Sequence, residues 1–291
     1  MGLLMLLRWT AIIGALAGSV ALGGCSSVRL AYANAPELVY WWVDGYIDIE
    51  GSQSNALREG LKAEHDWHRE QELPKIAEWI SSIRLLSANR VSPEQVCAQY
   101  DTLETRTRAL ASHTLPLATT TAKTLSAAQL KYLVQSWDKR NREWHEEWIE
   151  GSLQERNKRR FEKLTDRFDS FYGKLSAAQL AALRSRMEKS GWDAALQYQE
   201  TRRRQQDTLQ TLRAIQEGKP DQAASLALFN GLMERSFRSP DAAVRLNQEQ
   251  ARRSSCEMLA ELHNSATQVQ RTKLQRVLQG YESDALALVP R

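Results

Sequence analysis

Along most of the chain, apolar residues recur three, four or seven positions apart with charges between them, which is the period of amphipathic helices. From Ser54 to about Ser87 the stripe runs through Leu57, Leu61, His65, His68, Ile76, Ile80 and Ile83; Ser54 is placed to cap it and Pro74 to kink or split it. Ser92-Pro93-Glu94-Gln95 is a start signal, with a cap, proline at the first helical position, an acid in the first turn and glutamine at the third. The helix it opens carries Val96, Tyr100, Leu103 and Leu110 and is expected to fade between His113 and Pro116. From Ser126 to about Tyr172 the stripe includes Leu130, Leu133, Trp137, Trp144, Trp148, Phe161, Leu164, Phe168 and Phe171. As one helix it would span roughly 70 Å, unless Gly151 bends it. Ser176 opens a further helix through Leu180, Leu183, Met187, Leu196, Leu209 and Leu212 to Gly218. Gly218-Lys219-Pro220 and Ser239-Pro240 punctuate shorter helices toward the end. No alternating run is long enough to propose a sheet. The expected fold is all-α, an elongated bundle of long amphipathic helices.

Residues 1–24 break this pattern. Arg8 precedes an apolar run from Trp9 to Leu22, the layout of a cleaved secretory signal peptide, with Met5 as an alternative start. The run is too short and too rich in Gly and Ala for a span of about 20 strongly apolar residues; an uncleaved anchor is the alternative. Leu22-Gly23-Gly24-Cys25 resembles the lipobox of bacterial lipoproteins, where small residues precede a cysteine that is acylated and becomes the new N-terminus. By that resemblance Cys25 carries three acyl chains. At about 0.8 kcal/mol per buried methylene these hold a soluble body firmly on a bilayer. Ser26, rather than Asp, resembles the outer-membrane sorting choice.

With Cys25 lipidated, Cys97 and Cys256 remain as a pair in an oxidising compartment, and a disulfide between them is expected. Two buried free thiols are the alternative. Residues 25–35 are expected as a lipidated tether and 36–291 as a single helical domain, with a subdivision point at 218–220. Pro36 starts the first helix of that domain, which holds Tyr40, Trp41, Trp42, Tyr46 and Ile47. This aromatic segment belongs either in the core or at the membrane boundary; the core is preferred because Asp44 and Asp48 interrupt a membrane-facing stripe.

One motif repeats. Leu125 to Leu130 and Leu175 to Leu180 both read LSAAQL, Val91 to Val96 reads VSPEQV, and Thr272 to Gln275 with Leu278 forms a degenerate fourth copy. The hydroxyl of Ser92, Ser126 or Ser176 accepts from the third helical amide, and Gln95, Gln129 or Gln179 reaches back to the cap amide. Each such cap contributes roughly 1 kcal/mol. The pattern resembles the LTxxQ motif of the periplasmic Spy/CpxP proteins, small helical cradles that hold unfolded clients or damp envelope signalling. A second resemblance runs nearly end to end, to bacterial lipoproteins of unknown function with a lipobox cysteine, then R-L-x-Y-x-N-A-P-x-L-x-Y-W-W, then W-H-R ahead of L-P. Here those are Cys25; Arg29, Leu30, Tyr32, Asn34, Ala35, Pro36, Leu38, Tyr40, Trp41 and Trp42; then Trp67, His68, Arg69, Leu73 and Pro74. That family implies architecture and address, but no activity.

Composition narrows the chemistry. With 39 Lys and Arg against 35 Asp and Glu the net charge is +4, too small for a dedicated nucleic-acid binder. Charged residues at 25 % and hydrophobic ones at 42 % suit a folded globular chain. Glycine numbers 14, five of them before residue 25, which leaves little for a phosphate-cradling loop. His65 and His68 share a helix face and are weak candidates for Zn or Cu, with His145 as a contributor from elsewhere; packing at a polar edge is preferred. Trp137, Trp144 and Trp148 read as an interhelical seam. Lys158-Arg159-Arg160 and Arg202-Arg203-Arg204 read as solvated faces, or else as sites for anionic headgroups or acidic clients. No nucleophile elbow, zincin or Walker motif occurs, so no enzyme and no cofactor beyond the covalent lipid are expected. The leading expectation is a non-enzymatic scaffold lipoprotein at the outer membrane, facing the periplasm and meeting an envelope protein partner. The alternative is a holdase for unfolded clients or an envelope-stress modulator.

Overall fold

The computed structural model describes residues 24–290, with side chains from Ser27 onward. The signal-peptide expectation for residues 1–24 and the lipidation expected at the Cys25 thiol therefore lie outside the described residues. The chain forms α1 (Gly24–Ala33), α2 (Ala35–Ile47), α3 (Ser52–Trp67), a π-helical turn (His68–Glu72), α4 (Leu73–Leu86) and α5 (Pro93–Thr124). Then follow α6 (Ala127–Trp148), α7 (Leu153–Tyr172), α8 (Ala177–Glu188), α9 (Ala194–Gly218), α10 (Gln222–Phe237), α11 (Ala242–Asn264) and α12 (Gln268–Leu288). No strand occurs among the described residues, and the fold is all-α as expected. None of these helices is long and apolar enough to cross a membrane.

Several boundaries differ from the expected ones, each for a local reason. The stretch from Ser126 to Tyr172 is two helices, because Gly151 adopts φ of +85° and Ser152 opens α7 with its own capping box. The stretch from Ser176 to Gly218 also divides, and Asp193 caps α9 by accepting from the Leu196 amide at 3.0 Å. Conversely, α5 does not fade but continues through Pro116, where Leu115, Thr119 and Ala122 are buried. That burial outweighs the lost backbone hydrogen bond. Pro74 neither splits nor ends its helix; the wider π-helical turn just before it absorbs the proline, so helix continues from Ser52 to Leu86. Ser54 is not the cap, since its hydroxyl lies 2.9 Å from Tyr40 Oη inside α3.

Among the described residues two large apolar cores result, with smaller clusters around Val96 and around Leu73. In the first, Leu115 of α5, Leu130 and Leu133 of α6, Leu212 and Ile215 of α9 and Phe229 of α10 pack together, with Tyr46 and Ile47 of α2 against them. In the second, Phe168 and Tyr172 of α7, Leu183 of α8, Leu262 of α11 and Leu274 and Leu278 of α12 pack together, with Ile83 of α4 alongside. The long α5 touches α3, α9, α10 and α11 and so joins the two. Gly60 sits where α3 meets α5 so closely that a Cβ would strike Leu117. Residues expected as a tether are helical in α1, which lies on α12 and pairs Arg29 with buried Asp284 at 2.6 Å.

Candidate functional site: capping glutamines and an apolar cleft

The repeated motif folds as capping boxes, and in two copies its glutamine does a second job. The Gln129 amide donates to Ser126 Oγ at 3.1 Å and the Ser126 amide to Gln129 Oε1 at 2.9 Å. Ser176 with Gln179 and Ser92 with Gln95 repeat the pattern. A carboxamide that caps through its oxygen still has two N–H groups to place. Gln129 Nε2 donates to Gln53 Oε1 at 2.7 Å and to the Asp48 carbonyl at 2.8 Å, and Gln53 Nε2 donates back at 3.2 Å. Gln179 Nε2 donates to Gln270 Oε1 at 2.9 Å, and Gln270 Nε2 returns the bond at 3.0 Å. Each core is thus locked by a reciprocal amide pair, whereas Gln95 is exposed and only caps. The degenerate copy is misplaced: Thr272 lies inside α12, donating to the Gln268 carbonyl, and the box is formed by Thr267 and Gln270.

Cys97 and Cys256 form a disulfide between α5 and α11, with Cα atoms 5.5 Å apart. Cys256 is wholly buried beside Val91, Val96 and Ala260.

His65 and His68 do face one another's neighbourhood, but under α1. The Tyr32 ring packs 4.8 Å from His65, and its hydroxyl bonds His68 Nδ1 at 2.7 Å. Burial lowers both histidine pKa values and pushes the Tyr32 phenol up to about 12. Among the described residues no group of three or more His, Cys, Asp and Glu side chains could hold a metal ion. His145 is elsewhere, against Tyr198 and Glu150.

The tryptophans do form a seam: Trp144 stacks on Tyr198 at 5.7 Å and Trp148 meets Trp192 edge-on at 6.0 Å. The second basic cluster is not a free face. Arg203 and Arg204 bond Glu200, which is only 2 % exposed, and Arg202 pairs with Asp138. Burial alone would raise the Glu200 pKa; the hydrogen bonds from Arg203, Arg204 and Ser239 outweigh it and bring the carboxyl to about 2. The aromatic segment divides: Tyr40, Tyr46 and Ile47 meet the preference for core, and the two tryptophans do not. Tyr40 is buried, but Trp41 and Trp42 are 60 % and 62 % exposed.

The feature that periodicity did not reveal is a cleft beside the second core. A cavity of about 340 Å³, almost purely apolar, lies between α4, α5, α7, α11 and α12, with Ile83, Leu103, Phe168, Phe171 and Leu259 in its wall. Val96 and Leu259 also pack in the disulfide cluster, so the bridge fixes one side of the cavity. Its polar groups are mostly occupied. Tyr172 Oη bonds His263 Nδ1 at 3.0 Å, and His263 Nε2 meets the Asn89 carbonyl at 2.8 Å. The Arg271 guanidinium also stands 3.1 Å from Nε2, and burial, with that guanidinium, lowers the His263 pKa. Ser87 Oγ donates to the Arg84 carbonyl and accepts from Gln275 Nε2. Burial raises the pKa of the Tyr100 phenol at the rim.

A family model for a family of unknown function, DUF6279, matches residues 45–230, from the end of α2 into α10. The chain belongs to that family. The resemblance to an uncharacterised family is therefore met, and the DUF6279 match covers all three sequence-identified capping boxes and Cys97, while Cys25, Trp41, Trp42 and Cys256 lie outside it. No curated protein and no solved structure matches the chain.

Proposed function

We propose that this chain is a lipid-anchored protein of the Gram-negative envelope, attached through Cys25 to the inner leaflet of the outer membrane. In the periplasm it works as a non-enzymatic interaction protein. The observation that carries the reading is the chain's anchor end. α1 begins at Gly24, next to Cys25, and α2 follows after a single residue. On α2, Leu38, Trp41 and Trp42 stand at spacings of three and four and point to solvent, while Tyr40 is buried. Indole rings close to an acylated cysteine suit the bilayer boundary, and an exposed apolar face of this kind is a contact surface.

The interaction role draws its support from the cleft. Its phenol, imidazole and hydroxyl at Tyr172, His263 and Ser87 are tied to protein groups, so it offers a surface that holds rather than a group that reacts. The holdase alternative loses support from the same motif that suggested it, because Gln129 and Gln179 are buried in amide pairs and present nothing to a client.

The test is Cys25→Ser in cells given labelled palmitate. The expected result is loss of label and release into the soluble periplasmic fraction; full membrane retention of an unlabelled protein would overturn the anchor. In-cell crosslinking then separates the roles. One near-stoichiometric species supports the scaffold, and a broad set that grows under unfolding stress supports the holdase.

A further inference from the structure

The apolar cavity does not end in solvent on every side. Arg167 of α7 lines it and also lines a second hollow of about 370 Å³, bounded by α6, α7, α8 and α11. Lys163 and Arg160, one and two turns before Arg167, stand in that second hollow beside Trp148 and Trp192. Lys163 is paired with Glu147, but Arg160 donates only to Ser190 Oγ and covers the Trp192 ring, and Arg167 makes no ion pair among the described residues. Arg167 therefore borders the greasy cavity without a carboxylate, and Arg160, also without one, stands in the adjoining hollow on the same face of α7.

We propose that this pair of hollows binds one anionic single-chain amphiphile, with the hydrocarbon tail in the apolar cavity and a carboxylate or phosphate head on Arg167 and Arg160. Size selects the occupant. A helix with its side chains is about 10–12 Å across and does not fit a cavity of about 340 Å³, whereas an extended alkyl chain does. Charge selects the head, since a planar guanidinium recognises carboxylate and phosphate oxygens in pairs. The site does not rest on the anchor at Cys25, and its failure would leave the anchor reading standing.

The experiment irradiates the full chain in phosphatidylcholine vesicles with a diazirine-bearing hexadecanoate and maps the labelled peptides. Label is expected on the peptides carrying Phe168, Phe171 and Leu259. Unlabelled hexadecanoate and dodecyl phosphate should displace it, while dodecyltrimethylammonium should not. Lengthening a competing alkyl phosphate should tighten it about fourfold per methylene. Arg167→Glu should weaken labelling at least tenfold, as expected for a lost charge-assisted hydrogen bond. Leu103→Trp, which crowds the exposed rim, should reduce it without touching the cations. Both variants are checked for an intact Cys97–Cys256 bond and an unchanged melting midpoint. Label confined to residues 24–47, or spread evenly, overturns the proposal. So does equal displacement by the cationic amphiphile. Inorganic phosphate competing as well as dodecyl phosphate would mean an anion site alone, and displacement by an acidic helical peptide but not by hexadecanoate would mean a protein ligand; either result overturns the amphiphile.

Discussion

The two cores are closed by the same device, yet they differ in the space left beside them: the hollow next to Gln53 is lined by polar groups such as Glu50, Ser52 and Thr120, whereas the one beside the second core is apolar. Around Leu130 and Ile215 the Gln53–Gln129 pair locks α3 to α6, and the interior is continuous apolar packing. Around Leu183 and Leu278 the Gln179–Gln270 pair locks α8 to α12, but a cavity of about 340 Å³ remains beside it, braced by a disulfide. Identical LSAAQL hexapeptides start α6 and α8, so the caps do not cause the difference. It lies in what surrounds them, a packed disulfide cluster that shares Val96 and Leu259 with the cavity wall. Natural interiors leave few such voids, and an open one held rigid is the usual form of a ligand site.

The sharpest way to break the comparison is to remove the brace. Cys97→Ala with Cys256→Ala opens a loop of 159 residues in sequence and should cost up to about 4–5 kcal/mol by chain entropy. Urea unfolding with and without reductant reads this, and hydrogen exchange should rise first in α11 and the start of α5 rather than in α6. A smaller effect distinguishes the two locks. Gln179→Leu strands the buried carboxamide of Gln270 and should cost about 2–3 kcal/mol, whereas Gln129→Leu leaves half-exposed Gln53 able to find water and should cost nearer 1 kcal/mol. Gln179→Leu with Gln270→Leu should recover part of the loss, since no polar group is then left unpaired.

Acid should separate the regions again. His263 beside the cleft, and His65 and His68 under α1, have pKa values below their ordinary 6.5, so the unfolded chain takes their protons first. Their stabilisation is complete above about pH 6.5 and is lost as pH falls below it. No histidine packs in the first core. At pH 5.5, protection from amide exchange, corrected for the slower intrinsic rate in acid, should therefore fall in α1 and in α11–α12 and stay unchanged from Leu130 to Trp137. Glu200, held at about 2, keeps its contribution until pH drops below its ordinary 4.5 and loses it toward 2. The smallest effect is Ser152→Ala. It removes an exposed cap that carries Glu155 rather than glutamine and locks nothing, and should cost about 0.5–1 kcal/mol in thermal melts.

The capping glutamines mark where sequence reading succeeds and where it stops. Ser126, Gln129, Ser176 and Gln179 were identifiable because a capping box is a contact between residues three apart. That each glutamine would also find Gln53 or Gln270 was not, since those bonds join residues 76 and 91 positions apart. The presence of Gln rather than Glu at the third position was the available signal, because only the amide has a donor left over. The Cys97–Cys256 pairing followed from counting thiols, whereas the cleft between five helices left no trace in the periodicity of any one of them. The aromatic run of α2 was visible, and its assignment to core holds for Tyr40, Tyr46 and Ile47 but fails for Trp41 and Trp42, because composition alone does not say which face of a helix rich in aromatics on every side turns outward. The break at Gly151 was read as a bend, and the positive φ with a following serine cap makes it a full stop.

The intact mass of the chain extracted from cell membranes decides whether Cys25 is the anchor. The expected species begins at Cys25, is heavier than its residues by a diacylglyceryl and an acyl group, and is two mass units lighter than its fully reduced form. A species that retains residues before Cys25, or begins there with an unmodified thiol, would contradict that anchor.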